Sequence, residues 1–307
     1  MRVLLMAATA ALVACELQEV ALVDVENVVI AEIYVNVAPG IAEDPTEVRA
    51  FLHRTIGSVQ GGVDDLDQSR LTIRSGDGVT FELAPDPRAR CLGAFPIGET
   101  GTCFLADSAD AARLGPGDLL EVEVTLPGGG ALAGATRVPR AFELVGIDVG
   151  CRLRPDTRLT VRWTRSAGAW AYVNETSIRG LPHALESEGI EVEEDPLYLL
   201  GLSIADDDTT IVFPSEFGIF NRFDLDQDVA VRLQRGLPYG VDAEVAITAV
   251  DRNYVSWARG GSFNPSGQVR VPSLRGDGTG VFASTLRRRF LVESDSVATG
   301  LPTCPGT

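Results

Sequence analysis

Short alternating segments separated by turn signals are the feature that most constrains how this chain folds. In residues 119–126, LLEVEVTL, apolar and acidic side chains alternate, which is typical of a strand with one buried face. The same period of two recurs in five other segments: 28–37, 69–75, 79–84, 158–166 and 168–178. Connections such as SGDG and PGGG supply glycines for tight reversals. We therefore predict an all-β protein of antiparallel β-sandwiches, with one short helix at 44–55.

The chain of 307 residues is longer than a single hydrophobic core usually serves. We predict two β-sandwich domains, an N-terminal one at 15–147 and a second at 148–307. In the second, Trp163 and alternating apolar residues fall on consecutive strands, which resembles strands B and C of immunoglobulin-like or fibronectin type III domains. Residues 181–236 are long for a loop and rich in acidic side chains. We expect an acidic, partly helical insert there, with a strand at 229–233.

The N-terminal residues have the layout of a secretory signal. Positive charge at Arg2 precedes residues 3–14, an apolar run with a single polar residue. That run is shorter than the roughly 20 apolar residues a spanning helix needs. The stretch LVAC, which ends at Cys15, resembles the lipobox of bacterial lipoproteins. The resemblance implies removal of residues 1–14 as a lipoprotein signal peptide and attachment of lipid, palmitate included, to Cys15.

The alternative is cleavage by a general signal peptidase, which would leave Cys15 as a free thiol. In lipoproteins of this kind, an aspartate after the cysteine favours retention at the inner membrane. Here Glu16 follows Cys15, so the resemblance implies an exported protein held by its lipid anchor in the cell envelope, at the outer membrane.

Four further cysteines follow Cys15, and an even number in an oxidising compartment favours disulfides. Proximity favours a pair between Cys91 and Cys103, which leaves Cys151 to pair with Cys304. A metal site formed by all four cysteines is the alternative, although no CxxC spacing occurs.

The charged-residue composition argues against several functions. The net charge is −17, and all 26 basic residues are arginine, so no lysine is available for a Schiff base. Strong negative charge argues against a nucleic-acid partner. The one basic run, Arg287 to Arg289, is expected to be a solvated edge or to form salt bridges.

The sequence offers little support for catalysis. Its two histidines, His53 and His183, lie near no GxSxG nucleophile motif, and we expect them to have surface or packing roles. We predict a protein that is not an enzyme and that needs no cofactor. The alternative is a lipid-anchored hydrolase that uses carboxylates or a metal in the insert at 181–236, where Asp206 and Asp208 lie.

The best metal candidate is the stretch DLDQDV, which places Asp224, Asp226 and Asp228 at alternating positions that could supply oxygen ligands to calcium. The full calcium loop is not present, because Val229 stands where glycine is needed and Arg235 where a bidentate glutamate is needed. The other interpretation is a solvated acidic turn.

The best candidate for a recognition surface is an aromatic stretch near the end of the chain. Its members are Tyr254, Trp257, Arg259 and Phe263, of types enriched at binding hot spots. The alternative is that Tyr254 and Trp257 fill the core at the end of a strand.

Taken together, the lipobox, the stretch LGPGDLLEVEVTLPGGGALAGATRVP, the fibronectin-like strand pair and the late GTGVFAS resemble a family of bacterial outer-membrane lipoproteins. Members of this family are often encoded beside TonB-dependent transporters. The resemblance implies a lipid-anchored, non-enzymatic binding or accessory module for an envelope partner, with a TonB-dependent transporter as the candidate partner.

Overall fold

The computed structural model describes residues 27–39, 45–55, 65–86, 91, 101–203, 205–219, 227–259, 270–294 and 300–306. The predicted lipid site at Cys15, and Asp224, Asp226 and Phe263, lie outside these ranges. The helices described are α1 (Ser108–Ala111), α2 (Leu181–Leu185), α3 (Gln227–Leu233) and α4 (Arg252–Arg259), with 3-10 turns at Asp65–Gln68 and Glu186–Glu188. None of the described helices is long and apolar enough to cross a membrane.

The described residues form sixteen strands. In chain order they are β1 (Val29–Val37), β2 (Glu47–Arg54), β3 (Arg70–Ser75), β4 (Thr80–Asp86), β5 (Gly101–Ala106), β6 (Leu119–Thr125), β7 (Ala131–Arg137), β8 (Gly150–Leu153), β9 (Leu159–Arg162), β10 (Ala171–Arg179), β11 (Leu197–Ser203), β12 (Thr210–Phe213), β13 (Gly218–Ile219), β14 (Val241–Val250), β15 (Arg275–Gly276) and β16 (Gly278–Ser294). The all-β class is confirmed.

One large sheet contains fourteen of these strands, in the order β13-β11-β10-β14-β16-β1-β2-β5-β4-β3-β6-β7-β15, with β8 paired beside β16. Strands β9 and β12 form a second, two-stranded sheet. The two sheets meet where the Trp163 ring contacts the Tyr172 ring edge-on, with ring centroids 5.2 Å apart. Trp163 is 3% exposed, so it fills the core between sheets as its position in the sequence predicts.

Strand β16 pairs with strands from both halves of the chain. Its first part pairs in parallel with β1, and its second part pairs antiparallel to β14 and in parallel with β8. The sandwiches expected from the sequence were wholly antiparallel, so these two parallel pairs differ from expectation. The boundary predicted at 147/148 stays a prediction, but strands from both sides of it belong to one sheet.

The large sheet closes on itself at the start of β16, where every second residue is a glycine: Gly276, Gly278 and Gly280. Strand β15 pairs with β7, and β16 pairs with β1 only two residues later. This segment therefore passes between two neighbouring strands. A Cβ atom on Gly276 or Gly280 would lie 2.0 Å from a backbone oxygen of the adjacent strand. Only glycine permits so close an approach of two backbones.

The acidic stretch at 181–236 is partly helical, as expected, because it contains α2 and α3. It also contributes strands to both sheets, since β11 pairs with β10 and β12 pairs with β9. The strand predicted at 229–233 is wrong, because those residues belong to α3. Val229 and Leu233, four positions apart, both lie buried on one face of that helix.

The helix predicted at 44–55 is also wrong. Residues Glu47 to Arg54 form β2, which pairs with β1 and β5. Val48, Ala50 and Leu52 point inward at alternate positions and are at most 1% exposed. Phe51 is buried on the opposite face. Because both faces of β2 carry buried apolar residues, apolar and polar residues do not alternate in its sequence.

Both disulfides have the pairing that proximity in sequence favoured. Cys91 bonds to Cys103, and Cys151 bonds to Cys304. The second bond joins residues 153 positions apart. It fixes the segment at 300–306 beside β8, where Cys304 donates its backbone N–H to the Arg152 carbonyl at 2.9 Å.

Candidate functional site

Helix α4 positions most of the residues considered below, and a buried aspartate fixes its start. Asp251 is 5% exposed, and its carboxylate accepts the backbone N–H of Tyr254 at 2.8 Å, an N-terminal cap. The Thr136 hydroxyl of β7 donates to the same carboxylate at 2.5 Å and lies 2.8 Å from the Ser284 hydroxyl of β16. These contacts hold α4 against two strands that are distant in sequence.

The substitution Asp251→Asn is expected to change how stability depends on pH. Burial raises the pKa of the Asp251 carboxyl in the folded protein, whereas an aspartate in the unfolded chain titrates near pH ~4. The free energy of unfolding contributed by this group therefore falls as the pH rises from about 4 to the folded-state pKa, and is level above it. Asparagine still caps the helix but carries no charge.

Urea unfolding of the wild type and the variant between pH ~4 and ~8 measures this effect. The variant should gain stability relative to the wild type as the pH rises. A difference between the two proteins that stays constant over this range would contradict the assignment.

The two aromatic residues of the predicted recognition surface face the sheet. Trp257 is 8% exposed and packs with Val281 and Ala283 of β16, and Tyr254 is partly buried against the same cluster. Tyr254 also contacts Tyr34 of β1 edge-on, with ring centroids 6.1 Å apart. The structure thus gives both rings the packing role that the sequence left open as the alternative. The Arg259 side chain and Phe263 lie outside the described part of the chain.

A polar cluster lies beside these rings, centred on Glu32 of β1. The Tyr34 hydroxyl donates to the Glu32 carboxylate at 3.4 Å, and Arg270 and His53 lie 3.5 and 3.9 Å from it. Burial, and secondarily the charge of Glu32, raise the pKa of Tyr34 far above its usual range. The Arg270 guanidinium also lies over the Trp257 ring, 4.8 Å from its centroid. The cluster therefore anchors Arg270 to α4 and β1.

On its other side, α4 forms one wall of an open groove of about 960 Å³, which we call the α4 groove. The floor is the outward face of β7, where the side chains are the alanines at 131, 133 and 135. One wall is lined by Arg252, Asn253 and Ser256 of α4 and by Val271, Pro272, Ser273 and Arg275. Residues of β3 and β6 line the other: Thr72, Arg74, Glu121, Val122 and Glu123.

The two walls of the α4 groove differ in charge. Arg252 and Arg275 stand on the α4 wall, and within the described residues neither forms an ion pair. On the opposite wall, Arg74 pairs with Glu123 at 3.7 Å, which leaves the charge of Glu121 in excess. The net charge of the chain is −17. With two arginines that lack an ion-pair partner among the described residues, this wall is a local positive surface that attracts negatively charged groups.

Trp170 is a residue of this region that the sequence analysis missed. It immediately precedes β10, is 48% exposed, and lies under the Arg252 guanidinium, 5.1 Å from the ring centroid. Such stacking holds the guanidinium plane while leaving its edge free to donate. Trp170 lies within the segment 168–178 that the sequence predicts to be a strand, and its pattern does not show that this ring is exposed and stacked on an arginine.

The carboxylates of the predicted metal or hydrolase site are dispersed where the structure describes them. Asp206 pairs with Arg165, and Asp228 lies exposed in the first turn of α3. Among the described residues, no group of three or more histidine, cysteine, aspartate or glutamate side chains could hold a metal ion. Asp224 and Asp226 lie outside those residues, so the calcium interpretation stays untested.

The remaining charged candidates have local partners. His183 is largely exposed and lies 3.9 Å from Glu186. In the basic run of β16, Arg287 and Arg289 pair with Glu175 and Glu244, at 3.6 and 2.8 Å. This run therefore forms salt bridges across the sheet, one of the two roles expected for it.

No protein-family model matches the chain, and no curated protein matches it in sequence.

Proposed function

We propose that this protein is a lipid-anchored, non-enzymatic module of the cell envelope that binds a partner protein in the α4 groove, with a TonB-dependent transporter as the candidate partner. The observation that carries the proposal is the groove, which combines an open floor of small side chains with two arginines that form no ion pair within the described part of the chain. Arginine is one of the residue types enriched at the hot spots of protein–protein interfaces.

The anchor and the folded part are close in sequence. Thirteen residues separate Cys15 from Val29, the first residue of β1. A chain of this length reaches at most about 50 Å when fully extended. A lipid on Cys15 would therefore keep the α4 groove near the membrane surface, where an envelope partner is available. Two disulfides suit an oxidising compartment outside the cytosol.

A substitution that fills the groove tests the proposal. Ala133→Trp places a large side chain on the floor, whereas Thr160→Trp adds the same ring at an exposed position of β9. Each protein, tagged and lipid-anchored, is recovered from solubilised envelope after crosslinking. We expect wild type and Thr160→Trp to retain a stoichiometric partner that Ala133→Trp loses. Recovery of no stoichiometric partner by the wild type, or equal recovery by all three proteins, would refute the proposal.

Lipid attachment has its own test. Cys15→Ser should abolish incorporation of labelled palmitate and leave the precursor uncleaved, because the lipid is attached through a thiol and cleavage follows attachment. The measurement is metabolic labelling together with the mass of the mature N-terminus. Normal processing of the variant would favour the general signal peptidase and remove the anchor from the proposed function.

A further inference from the structure

We infer that the α4 groove binds an extended peptide segment that carries acidic side chains at every second position. This inference rests on the proposed function, since it names the chemistry of the partner segment. It starts from the opposed walls of the groove, one bearing Arg252 and Arg275 and the other an excess negative charge at Glu121.

The guanidinium groups of the α4 wall are available to a ligand, and that of Arg252 is also held in place. Arg252 is stacked on Trp170, and neither Arg252 nor Arg275 has an ion-pair partner within the described residues. A guanidinium with a free edge accepts a carboxylate through two parallel hydrogen bonds. The two arginines of the α4 wall can therefore bind one carboxylate each.

The floor sets the length and shape of the occupant. From Ala131 to Ala135, β7 extends about 13 Å, a distance covered by roughly four residues of an extended chain. The three outward side chains of the floor are methyl groups, so a backbone can lie close to the strand. In an extended peptide, alternate side chains point to opposite sides. Acidic groups at every second position would thus all face the α4 wall.

The backbone edge of β7 is already occupied, so recognition must use side chains. Ala131 exchanges hydrogen bonds with Asp277: its N–H donates to the carboxylate at 2.9 Å and its carbonyl accepts the Asp277 N–H at 2.8 Å. The Asn253 amide donates to the Ala135 carbonyl at 2.9 Å. These contacts exclude addition of the ligand as a further strand along this edge.

The wall of β3 and β6 distinguishes a peptide from a uniform polyanion. Glu121 and the Arg74–Glu123 pair face the same space as the two arginines. A polymer with a charge on every unit and in every direction would meet repulsion there. A peptide with acidic groups on one side and neutral groups on the other avoids it, which is why we assign a peptide to the groove.

Synthetic peptides test the assignment on the folded protein with both disulfides formed. The probe is an octapeptide of alternating threonine and glutamate with blocked ends. One control has glutamine in place of glutamate, and a second has four threonines followed by four glutamates. Binding is measured by tryptophan fluorescence. Trp170 is 48% exposed and contacts Arg252, whereas Trp163 and Trp257 are 3% and 8% exposed, so we assign a change in fluorescence to Trp170. We expect the alternating peptide to bind with a Kd about tenfold or more below that of either control.

Removing the arginines should remove the binding. For Arg252→Gln with Arg275→Gln we expect the Kd of the alternating peptide to rise about a hundredfold, roughly tenfold for each charge. Arg113→Gln, an exposed arginine in a local pair with Asp110, should leave the Kd unchanged. The inference would be overturned if the double variant bound the alternating peptide as tightly as the wild type, or if the wild type did not bind that peptide. It would also be overturned if the wild type bound the block peptide, the glutamine peptide or an oligogalacturonate, a polyanion with a charge on every unit, more tightly than the alternating peptide.

Partner recovery from the envelope separates this failure from failure of the proposed function. If the wild type recovers a partner and the arginine double variant recovers it equally well, the peptide chemistry is wrong while the module still binds. If the wild type recovers none, the proposed function fails whatever the peptides do.

Discussion

Gly280→Ala should leave the protein with little or no folded population. Gly280 has φ +144°, a conformation that side chains rarely adopt, and an added Cβ would lie 2.0 Å from the Ala31 oxygen of β1 and 2.8 Å from two other backbone atoms of Ala31. Neither backbone can yield, because β16 pairs with β1 over nine residues. We expect a loss of more than about 4 kcal/mol in the free energy of unfolding, measured by urea unfolding and by soluble yield.

Gly129→Ala is the matched control. Gly129 also has a positive φ, +96°, but an added Cβ there meets nothing within 4 Å. This variant should lose only the conformational preference of glycine, about 1–2 kcal/mol. If the two variants lost equal stability, the close approach of β16 to β1 would not be the cause of the effect.

Loss of the Cys151–Cys304 bond should cost more stability than loss of the Cys91–Cys103 bond. In the chain-entropy account, a cross-link stabilises by restricting the unfolded chain, and the effect grows with the length of the closed loop. The two bonds join residues 153 and 12 positions apart. The expected losses are about 5 and about 3 kcal/mol, with alanine at both positions of each pair.

Chemical unfolding of the two double-alanine variants and the oxidised wild type gives the comparison. Cys151 and Cys304 are 1% and 3% exposed, so alanine avoids burying a new polar group. A larger loss for the Cys91 and Cys103 variant would show that native packing around the short loop, and not loop length, decides the ranking.

Local pattern predicted the strands well where one face alone is buried. Strands β1, β3, β4, β6, β9 and β10 coincide with the alternating segments of the sequence. Strand β2 was missed because Phe51 is buried opposite Leu52. The parallel pairing of β16 with β1 could not be foreseen, because it joins residues about 250 positions apart and alternation says nothing about which strands pair.

The candidate site was only partly predictable, for a related reason. Tyr254 and Trp257 were predicted as part of an aromatic stretch after a strand, and the helix α4 that carries them was not predicted. Residue type alone does not say whether a ring faces the core or the solvent. The α4 groove draws its lining from β3, β6, β7, α4, residues 271–273 and Arg275. Its floor consists of alanines, a residue type that does not indicate a binding site. Arg252 and Arg275 line the same groove only in the folded protein.

The position of β16 also sets the point in synthesis at which the large sheet of this protein can be completed. Strand β1 emerges early, yet its parallel neighbour follows about 250 residues later, and the same late strand supplies the neighbour of β14. Neither half can therefore complete its sheet before β16 has been synthesised. The two halves are thus expected to reach their final structure together, after the last strand is available, and not one after the other.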